Sequence, residues 1–242
     1  MHVARTERLT HYAYSPKRGK EAMDSIGILP AFTGTLVSDA FTSYSQYSQY
    51  RRGLCGAHLL RELVYLKETC AEQQQWTDPL AKLLVELKTA GQRVRDAGGE
   101  RLSLEQQEKF MRRYNRIITL AAKLNPAGPP AAQQPRAKRQ KIPKPIKPKN
   151  PSTALVVRLR DKREDVLRYM TDLTVPFDNN GSERDIRMVK LVQKIGGCFR
   201  TPAGTEAFCR IRSYLSTARK QGQALLPALE SAFAGHPISL LM

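Results

Sequence analysis

The sequence predicts an α/β fold that is interrupted by a long helical stretch. Residues 9–14 alternate as a strand does, and residues 35–39 form a short apolar run that ends on Asp39. Between them, Ser15-Pro16 is typical of a helix start and Gly27 of a helix end, and the inward face of this helix is predicted to carry Ala22, Met23 and Ile26. This alternation favours an α/β sheet with Asp39 at the carboxyl end of a strand, where such sheets place their chemistry.

The rest of the chain is mostly helical by pattern. Residues 54–66 suit a short strand followed by a helix, and residues 80–94 and 104–124 repeat apolar positions every three or four residues. Further helices are predicted at 153–171, after Asn180 as far as Gly196-Gly197, at 205–222 and at 225–234. We therefore divide the chain into a partial core (1–70), a helical insertion (71–124), a basic linker (125–151) and a helical remainder (152–242). Trp76 is expected to be a core residue of the insertion.

The charge balance points to a polyanionic partner. Lys and Arg number 40 against 22 Asp and Glu, which gives a net charge of +18 and a pI near 10.0. Nucleic acid is the usual partner of such a protein, although a basic surface also serves for solvation alone. A membrane is disfavoured, because no run reaches the ~20 apolar residues of a spanning helix and the N-terminus lacks a signal-peptide core. We expect a cytoplasmic, nucleoid-associated protein whose four scattered cysteines are free thiols.

The predicted linker is rich in proline and in positive charge. The sequence contains no acidic residue between Glu108 and Asp161. The linker therefore suits contact with a phosphate backbone without reading of bases, and a simple spacer is the alternative. The cations predicted to contact DNA here are Lys138, Arg139, Lys141, Lys144, Lys147 and Lys149.

A second group of charges is predicted to share one helix face. Glu183 is followed by Arg187, Lys190 and Lys194 at spacings of four, three and four. A carboxylate at the head of a basic face suits a metal-dependent nuclease, whereas capping by Asn180 and Glu183 is the local structural alternative. Inward positions are expected at Met188, Leu191, Val192 and Ile195. Further phosphate contacts, or an ordinary solvated face, are expected at Arg200, Arg210, Arg212, Arg219 and Lys220.

Three segments resemble the transposases of the insertion-sequence-66 family, which belong to the DDE type. The segment VPFDNNGSERDIRMVKLVQKIGGCFRTPAGTEAFCRIRSYLSTARKQGQ is similar to the family's C-terminal catalytic signature and aligns Glu183 with its last acidic residue. The segment YAYSPKRGKEAMDSIGILPAFTGTLVSDAFTSY is similar to the central strand and helix, and aligns Asp39 with the second acidic residue. The segment LCGAHLLREL lies between these two segments and also resembles the family.

The resemblance implies a ribonuclease-H-like fold, N-terminally truncated, with a helical insertion and a helical C-terminal part. It implies that Asp39 and Glu183 bind Mg²⁺ or Mn²⁺ for cleavage and joining of DNA. The partners would be the element ends and target DNA, with a homo-oligomer or an upstream transposase segment in addition. Neither Glu7 nor Asp24 matches the family's first acidic position. We therefore expect this chain to be inactive by itself.

Cys55 and His58 form a Cys-x-x-His pair. A zinc site is not expected, because no second pair at zinc-like spacing follows. Several DDE families carry such an element between the second and third acidic residues, so His58 is expected to contact the scissile phosphate or to orient Asp39. A half-buried imidazole at a capped helix start is the alternative.

The predicted function is DNA transposition by metal-dependent strand cleavage and transfer, from a fragmentary copy. A catalytically inert, DNA-binding remnant of a transposase is the alternative. A general basic nucleic-acid-binding protein fits the matched residues less well.

Overall fold

The structure is a computed structural model that describes residues 1–126 and 150–240, and it shows a mixed α/β protein. Its strands are β1 (His2–Arg5), β2 (Thr10–Ala13), β3 (Thr35–Ser38) and β4 (Arg51–Leu54). Its α-helices are α1 (Lys20–Ile26), α2 (Ile28–Ala31), α3 (Gly56–Thr69), α4 (Gln74–Asp96), α5 (Leu104–Leu124), α6 (Pro151–Asp161), α7 (Arg163–Thr171), α8 (Asn180–Gly196), α9 (Pro202–Lys220) and α10 (Leu225–Phe233). Short 3₁₀ helices span Thr42–Gln46 and Ala71–Gln73.

The chain divides into two compact units. Unit 1 contains Met1–Gly34, Phe41–Tyr50 and Asn179–Met242, and unit 2 contains Thr35–Ala40 and Arg51–Asp178. Each unit has its own hydrophobic core and its own two-stranded sheet.

Unit 1 is built on an antiparallel hairpin. Strands β1 and β2 pair from His2↔Ala13 to Arg5↔Thr10. Helix α9 packs on β2, where the backbone N–H of Tyr12 donates to the Ser213 hydroxyl at 2.9 Å. The Tyr12 side chain is buried with Val189 of α8 and Cys209 of α9. The hairpin thus forms one wall of the small core against which α8 and α9 lie.

Unit 2 joins a parallel strand pair to a helical core. Strands β3 and β4 run parallel, from Thr35↔Arg51 to Ser38↔Leu54. The core is formed mainly by α3–α7 and has Trp76 fully buried at its centre, as predicted. The Trp76 indole N–H donates to the Gln73 side-chain oxygen at 2.6 Å, so its polar atom is satisfied.

Several predicted boundaries are wrong. The helix predicted at 153–171 is two helices that break at Lys162, since Lys162 leaves the helical conformation. The first helix begins after Gly19 and not at Ser15-Pro16, although it ends at Gly27 as predicted, with Gly27 in the left-handed region at φ 81°. Strand β1 was not predicted, because four residues with mixed polarity carry almost no pattern.

Two general features agree with the sequence. The described helices include none that is both long and apolar enough to span a bilayer. Cys55, Cys70, Cys198 and Cys209, all within the described ranges, form no disulfide, and the first and last of them are buried.

Candidate active site

Asp39 lies where two parallel strands end together. It follows β3 directly, and Cys55 follows β4 directly, one step beyond the last register pair, Ser38↔Leu54. The backbone N–H of Cys55 donates to the carbonyl oxygen of Ser38 at 2.9 Å and continues the pairing beyond the strands. Asp39 is half-buried. The predicted strand and the position of its carboxylate are therefore confirmed.

His58 lies on the same edge of the strand pair. Helix α3 begins immediately after β4, with Cys55 as its N-cap residue and His58 at its third position. Cys55 is buried, His58 is half-buried, and the cap makes no side-chain hydrogen bond. The structure thus brings Asp39, Cys55 and His58 to one end of unit 2, through the direct turn from β4 into α3.

Gly56 allows another segment to approach this edge. Its backbone N–H donates to the carbonyl oxygen of Phe177 at 2.9 Å. A Cβ at Gly56 would collide with ring atoms of Phe177. The segment around Phe177 is also held by Arg95, whose guanidinium donates to the carbonyl oxygen of Val175 at 2.8 Å. The importance of Gly56 was missed in the sequence, where the only signal is a glycine in the first turn of a helix.

Glu183 lies in the first turn of α8, in unit 1. Its backbone N–H donates to the carbonyl oxygen of Asn179 at 3.2 Å, so Asn179 is the N-cap residue and Glu183 the fourth helical residue. The Asn179 side chain makes no cap hydrogen bond. The predicted cap at Asn180 is therefore wrong, because the helix starts one residue earlier. A carboxylate here faces the positive end of the helix dipole, which stabilises its charge.

The predicted basic face of α8 is present. The helix is continuous from Asn180 to Gly196, so Arg187, Lys190 and Lys194 lie on the same side as Glu183. All three cations are exposed, and Glu183 is half-buried.

The predicted inward face of α8 is wrong at three of its four positions. Met188, Leu191 and Ile195 are 36%, 46% and 77% exposed. Val189 is the buried residue, and Ile186 packs beside it against the Tyr12 core. The hairpin lies against a different face of the helix from the predicted one, and the sequence of α8 alone does not encode where its partner lies.

Arg5 of β1 holds the start of α8. Its guanidinium lies 3.4 Å from a carboxylate oxygen of Asp185. A Cβ at Gly181 would collide with the guanidinium of Arg5, so the arginine passes directly over a glycine. The Tyr12 hydroxyl donates to the carbonyl oxygen of Asp185 at 3.1 Å. These contacts together fix the turn of α8 that carries Glu183.

The other predicted DNA contacts are distributed unevenly. Arg200 is exposed in the connection between α8 and α9. Arg210 and Arg219 are exposed on α9, whereas Arg212 and Lys220 are partly buried. The linker cations lie outside the described residues; they are Lys138, Arg139, Lys141, Lys144, Lys147 and Lys149.

Two N-terminal carboxylates, Glu7 and Asp24, lie in unit 1. Glu7 is exposed in the turn of the β1–β2 hairpin. Asp24 accepts hydrogen bonds from Lys20 at 2.6 Å and from the Tyr47 hydroxyl at 2.7 Å. These bonds, that from Lys20 first, lower the pKa of Asp24. Asp24 therefore has a structural role in unit 1.

Comparison with known proteins identifies the family of the chain. No curated protein and no solved structure matches the chain. The sequence profile of the family described as "Transposase IS66 family" matches residues 1–207, which include Asp39, His58 and Glu183. The chain belongs to the IS66 family of transposases.

Proposed function

We propose that the chain acts in DNA transposition by metal-dependent cleavage and joining of DNA strands. The observation that carries the proposal is the position of Asp39, the residue aligned with the second acidic position, at the carboxyl edge of the β3–β4 pair. Active sites of α/β proteins commonly lie at such carboxyl edges of the sheet. The parallel pair followed by α3 is compatible with part of a ribonuclease-H-like sheet, which we include in the proposal.

Asp39 and Glu183 are proposed as ligands of a divalent cation, Mg²⁺ or Mn²⁺. Carboxylate oxygens are the ligands these hard ions prefer, and both side chains are half-buried, so neither is fully hydrated. The buried Cys55 thiol beside Asp39 is a soft donor that does not suit them. When bound, the ions would promote in-line attack on a phosphate by water and then by a DNA 3′-hydroxyl.

The protein's other charges would position the DNA. Three exposed cations of α8 are proposed to neutralise phosphates of the DNA strand near Glu183: Arg187, Lys190 and Lys194. His58 is proposed to contact the scissile phosphate or to orient Asp39. The element ends and the target would both be bound mainly through their backbones.

The test is cleavage of labelled DNA that carries the element ends. Only two carboxylates, Asp39 and Glu183, are proposed as ligands, so the chain is assayed both alone and fused to a family segment that supplies the family's first acidic residue. We expect no nicking by the chain alone and Mg²⁺-dependent nicking by the fusion. In the fusion, Asp39→Asn and Glu183→Gln should abolish nicking, because each removes a metal ligand at nearly constant size.

Glu206→Gln is the matched control, since Glu206 is an exposed carboxylate on α9, and it should retain full activity. Nicking that survives both ligand substitutions would contradict the assignment of Asp39 and Glu183. A fusion that binds DNA but never cleaves it would identify the inert remnant instead.

A further inference from the structure

Four aromatic residues follow Asp39 at intervals of three: Phe41, Tyr44, Tyr47 and Tyr50. The 3₁₀ helix Thr42–Gln46 forms the middle of this segment. Tyr44 lies within this helix, and Phe41 and Tyr47 are its two cap residues. All four aromatic residues belong to unit 1.

The second pair of rings anchors the segment. Tyr47 and Tyr50 are buried, and their rings stack with centroids 5.9 Å apart. The Tyr47 hydroxyl donates to Asp24 of α1 at 2.7 Å, and the Lys20 ammonium lies 4.8 Å from the centre of the Tyr47 ring. Burial above all, and then the bond to Asp24, raise the pKa of Tyr47. These two tyrosines have a structural role.

The first pair of rings is more accessible. Phe41 and Tyr44 are half-buried and meet edge to face, with centroids 5.9 Å apart. The guanidinium carbon of Arg18 lies 4.9 Å from the centre of the Phe41 ring. Arg18 is itself exposed.

The positive charge of Arg18 is available to an anionic or aromatic ligand. Its neighbours Lys17 and Lys20 each form an ion pair with a carboxylate four residues on. Within residues 1–126 and 150–240, no carboxylate lies within 4.0 Å of the Arg18 guanidinium. An exposed, planar cation against an aromatic ring is a surface on which a nucleobase stacks well.

We propose that Arg18, Phe41 and Tyr44, here termed the stacking cluster, hold an unpaired nucleobase of the DNA next to the phosphate that is cleaved. The proposal rests on the proposed function, and Phe41 follows the proposed metal ligand Asp39 by two residues. Every base has a π-face, so the cluster would grip a displaced nucleotide of any sequence. Base stacking here would keep the strand unpaired at the cleavage position.

The test uses a single-stranded oligothymidine with one central 2-aminopurine, whose fluorescence falls when it stacks. Binding of the full chain is measured by anisotropy of a separate end label. We expect the wild-type chain to bind the oligonucleotide and to quench the 2-aminopurine. Phe41→Leu and Arg18→Lys should remove the quenching and weaken binding roughly five-fold or more, as expected when one base no longer stacks.

Matched controls separate stacking from charge and from folding. Lys17→Ala removes a neighbouring cation and should leave the quenching unchanged. Phe41→Tyr retains an aromatic ring and should also quench, which shows that the effect of Phe41→Leu is not a folding defect. Circular dichroism checks that each variant is folded.

The outcomes distinguish the two proposals. Binding by the wild-type chain without quenching, or full quenching by both Phe41→Leu and Arg18→Lys, overturns the stacking cluster while DNA binding stands. Absence of any binding at low salt overturns DNA as the partner and the cluster with it. Quenching that disappears in Arg18→Lys but persists in Phe41→Tyr and in Lys17→Ala supports the cluster.

Discussion

The backbone N–H of Gly56 donates to the carbonyl oxygen of Phe177 at 2.9 Å, and a Cβ at Gly56 would collide with the Phe177 ring. The ring of Phe177 is buried and packs edge to face on Tyr169, with centroids 5.5 Å apart. The ring therefore has little room to move away. The start of α3, which carries His58, depends on this contact for its position.

Gly56→Ala is expected to lower the free energy of unfolding by about 1–3 kcal/mol, since an inserted methyl group must displace the Phe177 ring. Chemical denaturation measures the change. Gly196→Ala is the control, because a Cβ there meets nothing within 4 Å, and it should be neutral or slightly stabilising. Equal effects of the two substitutions would contradict the packing argument.

The basic face of α8 should contribute to the salt dependence of DNA binding. Replacing Arg187, Lys190 and Lys194 with Gln should flatten the slope of log K against log salt by about 0.9 for each phosphate that is no longer neutralised. The control replaces three exposed cations of unit 2 (Lys82, Arg93 and Lys109) with Gln at the same change in net charge. If both triple variants change the slope equally, α8 has no special role.

The linker cations are expected to act in the same way. Replacing Lys138, Arg139, Lys141, Lys144, Lys147 and Lys149 with neutral residues should weaken DNA binding and flatten the salt slope. Fluorescence anisotropy over a salt series measures both. An unchanged slope would show that this segment is a spacer.

His58→Gln should reveal which of two roles the imidazole has. If His58 orients Asp39, the concentration of Mg²⁺ needed for half-maximal nicking should rise, because a misplaced carboxylate binds the ion less well. If His58 contacts the scissile phosphate, the maximal rate should fall while the Mg²⁺ requirement stays constant. A variant with wild-type rate and Mg²⁺ requirement would show that the residue is structural.

Lys220 should make the stability of unit 1 depend on pH. Its ammonium donates to the carbonyl oxygens of Thr6 and Leu9 at 2.7 Å each. Burial, together with the nearby charge of Arg5, lowers the pKa of Lys220 from 10.5 to about 8. Between these two pKa values, Lys220 is protonated in the unfolded chain and deprotonated in the folded chain. The free energy of unfolding therefore rises with pH in this range.

Thermal unfolding between about pH 7.5 and about pH 9.5 tests this sign, because the window begins near the pKa of the folded state and lies below that of the unfolded state. The wild-type midpoint should rise with pH relative to that of Lys220→Gln, which has no titratable group at this position. Lys190→Gln controls for the loss of one positive charge. Parallel profiles for the wild type and Lys220→Gln would contradict the prediction.

The local part of the site was predictable from the sequence. Asp39 closes a short apolar run. The strand that precedes α3 was predicted to begin at Leu54, whereas β4 ends there, and only the helix that follows was predicted correctly. The regular charge spacing after Glu183 requires only a continuous helix, which α8 provides. These features depend on neighbours within a few residues.

Features that depend on distant partners were not predictable from the sequence. The exposed face of α8 is set by the β1–β2 hairpin, which lies at the opposite end of the chain. The same holds for Gly56, whose constraint comes from Phe177. Asn179 and Asn180 are equally good cap residues by type, so the first turn of α8 was misplaced by one position.

Trp76 is the sole tryptophan in the sequence, and it is fully buried in unit 2. Selective excitation of tryptophan will therefore report on the folding of unit 2, while unit 1, with tyrosines such as Tyr12 and Tyr47, contributes no such signal. Far-ultraviolet circular dichroism records the helices of both units. Transitions that coincide by the two probes would show that the units unfold cooperatively, and separated transitions would give each unit a stability of its own.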